Sequence, residues 1–439
     1  MRVGCRTGSR TVGWLARAAA VAVLAGLGTA KAEVGDSNGP FGLGASLRIV
    51  SGATYSYQLS LPAGLQPELV PQVSALLPER SDGMTQALAR LTAAGRPRSW
   101  LSYEAHVVQA VQISTATAGS LGPMQPIAPG DRDRIVAGEW HWGQGRYVDA
   151  RLQVDRLSTK LALPKTYVTL GRQAITFGKT YFWNPLDVFR PFGPVQFDRD
   201  YKPGVDALRI DRSLGESTGC TLVGVLGDAR GLSWFSSAVL GRAYGSWRDW
   251  DFTLQGGKIH GGYHFGGGGQ GEVGPLEVRA EVAFFQPRHD GPAYELQVPA
   301  GLSAVVGAGY SSDKLQVQAE YLYNGAGQMP IAQAWPLVRE GVLPHASRQV
   351  VGAVLSYKVT PLLKPSFGML VSLSDASLLM LPGLVYSVAD EVELLAGAML
   401  AVGKHPTLEL DAQGAPAVRF RSEFGTYPHV FYVEIKLYF

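Results

Sequence analysis

Two short motifs bring together residue types that hydrolysis or phosphate binding would use. Gly215–Gly219 reads Gly-Glu-Ser-Thr-Gly, the letters of a hydrolase nucleophile elbow, which requires a strand before the serine and a helix after it. Alternating apolar patterns flank this motif on both sides, so we interpret it as a turn. Gly178–Thr180 ends like a phosphate-binding loop, but the first glycine of such a loop would fall at Gln173. Neither motif therefore predicts catalysis.

Metal and dinucleotide binding fail for related reasons. His260 and His264 have the spacing of helical zinc ligands. On a strand, however, four residues cover about 13 Å, which is too far for one metal ion to bridge. Gly266–Gly269 lacks the strand-to-helix setting of a dinucleotide loop and fits a wall strand with small side chains. We therefore predict a protein that is not an enzyme, with no catalytic residues, no bound metal and no cofactor.

Charged side chains can also act without making bonds, because charges that line a water-filled passage set its preference among ions and solutes. The segment 179–203 is dense in aromatic rings and in charges of both signs. Its charged candidates are Lys179, Asp187, Arg190, Asp198, Arg199, Asp200 and Lys202. We interpret this segment as a loop that folds into a barrel and narrows it. The alternative is that its rings pack on the wall while its charges face the outside water.

Other charged residues fall on the polar faces of predicted strands. Most of them are expected to form the solvated side of a wall, and a minority to act on a permeating solute. These candidates are Glu104, Arg172, Glu277, Arg279, Glu281, Glu320, Lys358, Glu434 and Lys436. Arg172 is in phase with the apolar residues Val168 and Leu170, so its placement in a lumen requires a bulge or an apolar patch there.

The last nine residues indicate which kind of element positions these charges. From Phe431 to Phe439, alternate residues are apolar and those between them are polar or amphipathic. Side chains of a strand point to alternate faces, so one face is apolar and the other polar. An aromatic residue at each end of the apolar face is typical of the closing strand of a bacterial outer-membrane barrel. An edge strand of a soluble sheet is the alternative. We predict that Phe439 is part of the signal read by the barrel-assembly machinery.

The first 32 residues predict export. Arg2, Arg6 and Arg10 precede an apolar run over residues 18–30, and Ala30-Lys31-Ala32 places small residues where a signal peptidase cleaves. We expect a signal peptide over residues 1–32 and a single barrel over residues 33–439. No later stretch has the roughly eighteen unbroken apolar residues of a membrane-spanning helix.

Charge and cysteine content agree with this assignment. The full chain carries 39 basic and 36 acidic residues, a formal charge of +3, but five of the basic residues lie in residues 1–32. The remainder has 34 basic and 36 acidic residues, a net charge of −2, so no global charge points to nucleic acid. Charged residues make up 17% of the chain, against about 25% in soluble domains. Cys220 is the single cysteine after residue 32, which excludes a disulfide framework.

The alternating runs predict an all-β, transmembrane, antiparallel up-and-down barrel. Its long connections should all lie on one side, and they are the ranges 60–82, 116–147, 179–203, 287–299, 324–347 and 403–427. All six connections lie on the same side only if the Gly-rich stretch 261–271 is itself a strand. Counting that strand gives about eighteen strands, with about sixteen as the alternative count. We also expect residues 84–94 and 101–113 to form a hairpin.

Three motifs carry a family resemblance. They are Gly171–Gly178 (Gly-Arg-Gln-Ala-Ile-Thr-Phe-Gly), Trp183–Phe189 (Trp-Asn-Pro-Leu-Asp-Val-Phe) and Pro203–Arg209 (Pro-Gly-Val-Asp-Ala-Leu-Arg). With them the chain resembles a family of poorly characterised porin-like outer-membrane barrels of proteobacteria, which are distantly similar to alginate exporters and phosphate-selective porins. The resemblance implies a channel and carries over neither a solute nor ligand residues.

Together these observations predict a bacterial outer-membrane channel for passive diffusion of small hydrophilic solutes or ions. Its partners would be outer-membrane lipid, the barrel-assembly machinery and the solutes, and not nucleic acid. Porins of this kind commonly form homo-oligomers, and no residue pattern here marks a subunit contact. Two alternatives stay open. One is an exporter of an acidic polysaccharide, which would need a wide lumen with a basic stripe, and the other is a structural or adhesive barrel with a closed lumen.

Overall fold

A computed structural model gives the fold of most of the chain. It describes residues 34–35, 39–62, 65–66, 68, 70, 80–115, 133–145, 147–189, 201–228, 231–288, 299–339, 342–411 and 413–439. These residues form a closed antiparallel barrel of 18 strands, which confirms the predicted fold and excludes the count of sixteen. Over the same residues, no helix has the length and apolarity needed to cross a membrane.

Each strand of the barrel pairs with its successor in the chain, and the last pairs with the first. In chain order the strands are β1 Gly42–Tyr55, β2 Ser81–Arg98, β3 Leu101–Ser114, β4 Val148–Leu163, β5 Thr166–Gln173, β6 Val205–Ser213, β7 Gly219–Val225, β8 Ala238–Trp247, β9 Trp250–Ile259, β10 Gly262–Val273, β11 Leu276–Pro287, β12 Gly301–Ser311, β13 Leu315–Asn324, β14 Gln349–Tyr357, β15 Leu363–Ser372, β16 Leu378–Ala389, β17 Val392–Val402 and β18 His429–Tyr438.

Short turns occur on both sides of the barrel, but the long connections occur on one side only. All six predicted long connections lie on one side of the barrel, and the turns on the other side span two to five residues. The Gly-rich stretch forms β10, and the hairpin predicted near residue 84 is formed by β2 and β3. The elbow-like motif Gly215–Gly219 lies at the turn between β6 and β7, where Leu214 N–H donates to Thr218 O at 2.8 Å. The elements that were not predicted include a helix α1, Ile331–Arg339, a short strand, Glu139–Gln144, and a loop hairpin of Thr407–Leu410 with Pro416–Arg419.

Strand periodicity sorts the side chains between the two faces of the wall. On β11, Val282 and Phe284 are more than 40% exposed on the outer face, whereas Arg279 and Glu281, which precede them on the opposite phase, are less than 10% exposed and point inward. An apolar exterior and a charged interior is the pattern of a barrel that stands in lipid around a polar lumen.

The seam between β1 and β18 is closed by both main chain and side chains. Phe439 N–H donates to Ala45 O at 2.8 Å, and Ala45 N–H donates to Phe439 O at 3.0 Å. Inside the barrel, Arg48 of β1 forms an ion pair with Glu434 of β18. The terminal residue therefore takes part in ring closure, while its role in assembly stays a prediction.

The wall is modified where β5 ends early at Gln173. The short strand Glu139–Gln144 pairs with β4 beyond that point and completes the wall. Arg172 directly opposes Asp206 of β6, and its guanidinium binds the Asp206 carboxylate at 2.7 and 2.9 Å and the Val154 carbonyl at 2.8 Å. Because Arg172 keeps the phase of exposed Leu170, this charge lies toward the outer face, where Asp206 also accepts the N–H groups of residues 135 and 136. Neither a bulge nor an apolar lumen patch is involved.

Candidate constriction of the lumen

After Gln173 the chain leaves the wall and runs along the inner surface of the barrel; we call residues 174–189 the inward segment. Ile175, Phe177 and Phe189 are buried and pack on side chains of β6, β7 and β8. Those wall residues alternate with outward-facing Leu208, Leu222 and Val239, so they belong to the lumen face. They are Val205, Ala207, Val223, Val225, Ala238 and Leu240. The first and last parts of the inward segment therefore lie against the inner wall.

A glutamate of β11 holds the middle of the inward segment. Glu281 accepts hydrogen bonds from the main-chain N–H groups of Lys179 at 2.5 Å and Leu186 at 3.3 Å. On β9, the amide of Gln255 donates to the Leu186 carbonyl at 2.7 Å, and Asp251 pairs with the Lys179 ammonium at 3.0 Å. Buried N–H groups need acceptors, so these side chains fix the backbone of the segment.

A second glutamate binds the tip of the inward segment, by which we mean residues 181–183. Glu320 of β13 accepts the N–H groups of Tyr181 at 2.5 Å and Phe182 at 2.8 Å. Phe182 and Trp183 are buried, and both rings lie against Gly352 of β14, where a Cβ atom would come within 2.9 Å of either ring. Their cluster also contains Leu322, Val350 and Leu370. Since β14 is nine strands away from β5 in a ring of 18, the tip contacts the wall opposite the point of departure.

A buried ion pair joins the start and the return of the connection. The Lys202 ammonium lies 2.5 and 2.6 Å from the carboxylate oxygens of Asp187 and donates to the Ile175 carbonyl at 2.5 Å. Both side chains are at most 4% exposed. Burial raises the pKa of the Asp187 carboxyl and lowers the pKa of the Lys202 ammonium, and the attraction between the two charges acts against both shifts. Each charge therefore depends on the other.

Three of the seven charged candidates in the connection 179–203 lie among the residues that the structure describes. Lys179, Asp187 and Lys202 make the contacts given above, so their charges are engaged by the wall or by one another. The remaining predicted constriction residues, Arg190, Asp198, Arg199 and Asp200, lie outside the described residues. Tyr201, at the return, stacks on Arg90 of β2 with 4.0 Å between the guanidinium carbon and the ring centroid.

Most wall candidates have inward-facing partners of opposite charge. Glu104 binds Arg156 at 2.7 Å and His106 at 3.0 Å, and Arg279 binds Glu277 at 2.7 Å. Lys436 lies 4.0 Å from the carboxylate of Glu434, which also pairs with Arg48. Glu281 and Glu320 hold main-chain N–H groups. Lys358 lies past the end of β14 in a short turn, where its N–H donates to Lys314 O at 2.7 Å.

Several charged lumen residues were not singled out from the sequence. Arg90 binds Asp155 at 2.7 Å across the lumen face of β2 to β4, and Arg209 binds Asp211 at 2.8 Å on β6. Arg242 of β8 lies with its guanidinium carbon 5.0 Å from the centroid of the Phe177 ring. The sequence did contain a signal for Arg209 and Asp211: both alternate with the apolar residues 208 and 210, which predicts that they lie on the polar face of the strand.

The arrangement offers charges of both signs to water inside a barrel. Within the part of the chain that the structure describes, no group of three or more His, Cys, Asp or Glu side chains could hold a metal ion. His260 lies in the turn between β9 and β10 and His264 lies on β10, so the two residues share neither a helix nor the single strand that was expected.

Comparison with known proteins gives matches at the level of structure. No family model matches the sequence, and no curated protein matches it. OccAB4 of Acinetobacter baumannii is 8% identical, with a TM-score of 0.52 over 92% of this chain and 98% of that one. OccAB2 of the same organism is 8% identical, with a TM-score of 0.53 over 90% and 98%. OccK9 (OpdG) of Pseudomonas aeruginosa is 11% identical, with a TM-score of 0.50 over 91% and 98%. This chain therefore shares its fold with these three barrel proteins, built from a sequence with very little identity to theirs.

Proposed function

We propose that this protein is an outer-membrane channel through which small hydrophilic solutes or ions diffuse passively. The closed barrel, its apolar exterior and its charged interior support this proposal, and so does the fold shared with porins. Residues 1–32 would direct export and be removed, the long connections would face the outside of the cell, and the closing strand ending at Phe439 would serve assembly.

The observation that carries the proposal is the attachment of the inward segment to lumen-facing residues of the wall. Glu281 and Glu320 bind four of its N–H groups, and its rings pack on the inner faces of β13 to β15. A barrel of 18 strands is otherwise wide enough for an aqueous channel. The connection 179–203 would therefore set the size limit, and the lumen charges would add an electrostatic preference.

Export of an acidic polysaccharide is the weaker candidate. Such a polymer would be drawn by a continuous basic stripe, whereas lumen arginines such as Arg90 and Arg209 are paired with the carboxylates of Asp155 and Asp211. Charges of both signs that pair with one another suit the passage of small solutes, with only a weak preference for solutes of one charge sign.

Solute flux into liposomes tests this function. Liposomes that contain the folded protein should admit monosaccharides and small ions and exclude large dextrans. A variant lacking residues 180–201 should admit larger solutes, since Lys179 and Lys202 would then be joined by a short wall-side loop. A variant lacking the loop hairpin 407–419, on the same side of the barrel, is the matched control and should keep the original size limit. Folded protein that admits solutes no faster than protein-free liposomes would instead indicate a closed structural barrel.

A further inference from the structure

An exposed arginine lies on the outer face of the wall, at the end of the barrel that carries the long connections. Arg348, directly before β14, donates from Nη2 to the hydroxyl of Tyr323 at 2.7 Å, and its guanidinium carbon lies 5.2 Å from the centroid of that ring. Tyr323 directly opposes Gln349 of β14, which keeps the phase of outward-facing Leu355. The tyrosine therefore holds a cation in a fixed orientation on the exterior of the barrel.

Neutral hydrogen-bond donors stand beside this cation. The hydroxyl of Tyr321 donates to Gln349 Oε1 at 3.2 Å, which leaves the amide hydrogens of Gln349 for another acceptor. The hydroxyl of Ser374, in the short connection after β15, accepts the main-chain N–H of Gln349 at 3.3 Å, so its own hydrogen is available too. Within the described part of the chain, Tyr323 is the only acceptor that the Arg348 side chain has. The cluster presents one positive charge and several free donors.

The carboxylate that lies next to this cluster in the chain is already engaged. Asp375 follows Ser374, and its Oδ1 accepts the N–H and the hydroxyl of Ser377 at 3.0 and 2.6 Å, while its Oδ2 accepts the N–H of Glu423 at 2.6 Å. Among the described residues, no acid forms an ion pair with Arg348. A cation with donors around it is complementary to an anion with several oxygens, and the planar guanidinium matches phosphate geometry.

An apolar strip continues from the cluster along the outer wall. Val306, Leu355 and Phe367, on β12, β14 and β15, are each more than 40% exposed on that face. Such a surface contacts acyl chains when a barrel stands in lipid. Tyr321 and Tyr323 lie between the strip and the donors, as amphipathic rings do at a membrane interface. A free anion would use the donors alone, whereas a lipid with an anionic headgroup would use both the donors and the strip.

We propose that Arg348, Gln349 and Ser374 form a binding site for the phosphate group of a membrane lipid, whose acyl chains lie on the apolar strip. The guanidinium supplies the charge, and the amide and hydroxyl donate to further phosphate oxygens. Because the long connections are proposed to face the outside of the cell, the ligand is a phosphorylated lipid of the outer leaflet. The inference rests on the proposed function for this placement, and it adds a lipid partner that conduction does not require.

A related pair on the same rim provides an internal comparison. Arg80, before β2, donates from Nε to the hydroxyl of Tyr55 at 2.6 Å, and its guanidinium carbon also lies 5.2 Å from the ring centroid. Tyr55 opposes Ser81 as Tyr323 opposes Gln349, so a short side chain with a single donor takes the place of the amide. Arg80→Gln is therefore the matched control for Arg348→Gln.

Titration of the folded protein in detergent micelles tests the proposal, with bound lipid counted by native mass spectrometry. The probes are lipid A with two phosphates and the same lipid with both phosphates removed. The unaltered protein should bind the phosphorylated probe about tenfold more tightly, as expected for charge-assisted hydrogen bonds. Arg348→Gln should remove most of this preference. Ser374→Ala, a change in a different connection, should reduce it about threefold, and Arg80→Gln should leave it in place.

Three results would overturn the site. Equal affinity for the two probes would mean that phosphate is not recognised. Equal losses in Arg348→Gln and Arg80→Gln would mean that any arginine of the rim suffices. Displacement of lipid A by inorganic phosphate at equal concentration would indicate a site for the free anion. Current steps are a separate readout: their absence from the folded, unaltered protein would contradict the channel, and a retained preference for the phosphorylated probe would leave the lipid site standing.

Discussion

Replacing both Glu281 and Glu320 with alanine is expected to release the inward segment and widen the channel while the barrel stays folded. The double substitution removes the acceptors of four main-chain N–H groups. Each buried N–H left without a partner costs about 1–3 kcal/mol, so the wall-bound position of the segment loses its main polar support. Single-channel conductance should rise about twofold, because an 18-stranded wall without an inner obstruction is open.

The matched control for this variant is Glu277→Ala. Glu277 lies on the lumen face of β11, four residues before Glu281. Its side chain forms an ion pair with Arg279 at 2.7 Å. The substitution Glu277→Ala removes one negative charge from the same strand and leaves the contacts of the inward segment unchanged. Equal conductance changes in the control and the double variant would mean that charge alone is responsible. An unchanged conductance in the double variant would contradict the anchoring role of the two glutamates.

The second large effect is expected from Lys202→Met. This substitution leaves the Asp187 carboxylate buried without its counter-ion, and breaking a buried pair in this way typically costs about 3–5 kcal/mol. The free energy of unfolding, measured with denaturant in detergent micelles, should fall by about that amount. The combined variant with Asp187→Leu and Lys202→Met should recover most of the loss, since no unpaired charge then remains inside.

A more exposed ion pair, between Lys179 of the same connection and Asp251 of β9, provides the comparison. Lys179 and Asp251 lie 3.0 Å apart, with side chains 28% and 42% exposed. Lys179→Met should therefore lower the free energy of unfolding by about 0–1 kcal/mol only. If Lys202→Met costs no more than Lys179→Met, the pair of Asp187 and Lys202 does not hold the connection together.

The architecture could be predicted because it follows from a local rule. In a membrane barrel every wall strand separates lipid from water, so the period-two pattern of β18 or β11 is visible in the sequence itself. The count of 18 followed from the requirement that long connections share one side, which made the Gly-rich stretch β10 a strand. Alternation also marked the lumen face of β11, where Glu277, Arg279 and Glu281 occur at every second position.

The site was less accessible because its contacts are distant in sequence. Glu281 binds the N–H of Lys179 across 102 positions, and His345 meets Glu423 across 78. No spacing or motif encodes such pairings, and a glutamate that caps a backbone looks like any other polar wall residue. Arg172 shows the same gap, since its phase was visible but the carboxylate and carbonyls that accept its outward charge were not. Likewise, the need for a glycine at position 352 is seen only in the structure, where the rings of Phe182 and Trp183 lie against it.

Single-channel current in a planar bilayer tests the central claim most directly. Purified, refolded protein would be compared with the variant lacking Thr180 to Tyr201. The account predicts stable current steps from the unaltered protein and larger steps from the deletion, because the obstruction on the inner wall is gone. Equal steps from both proteins would contradict the constriction, and no steps from either folded protein would contradict the channel.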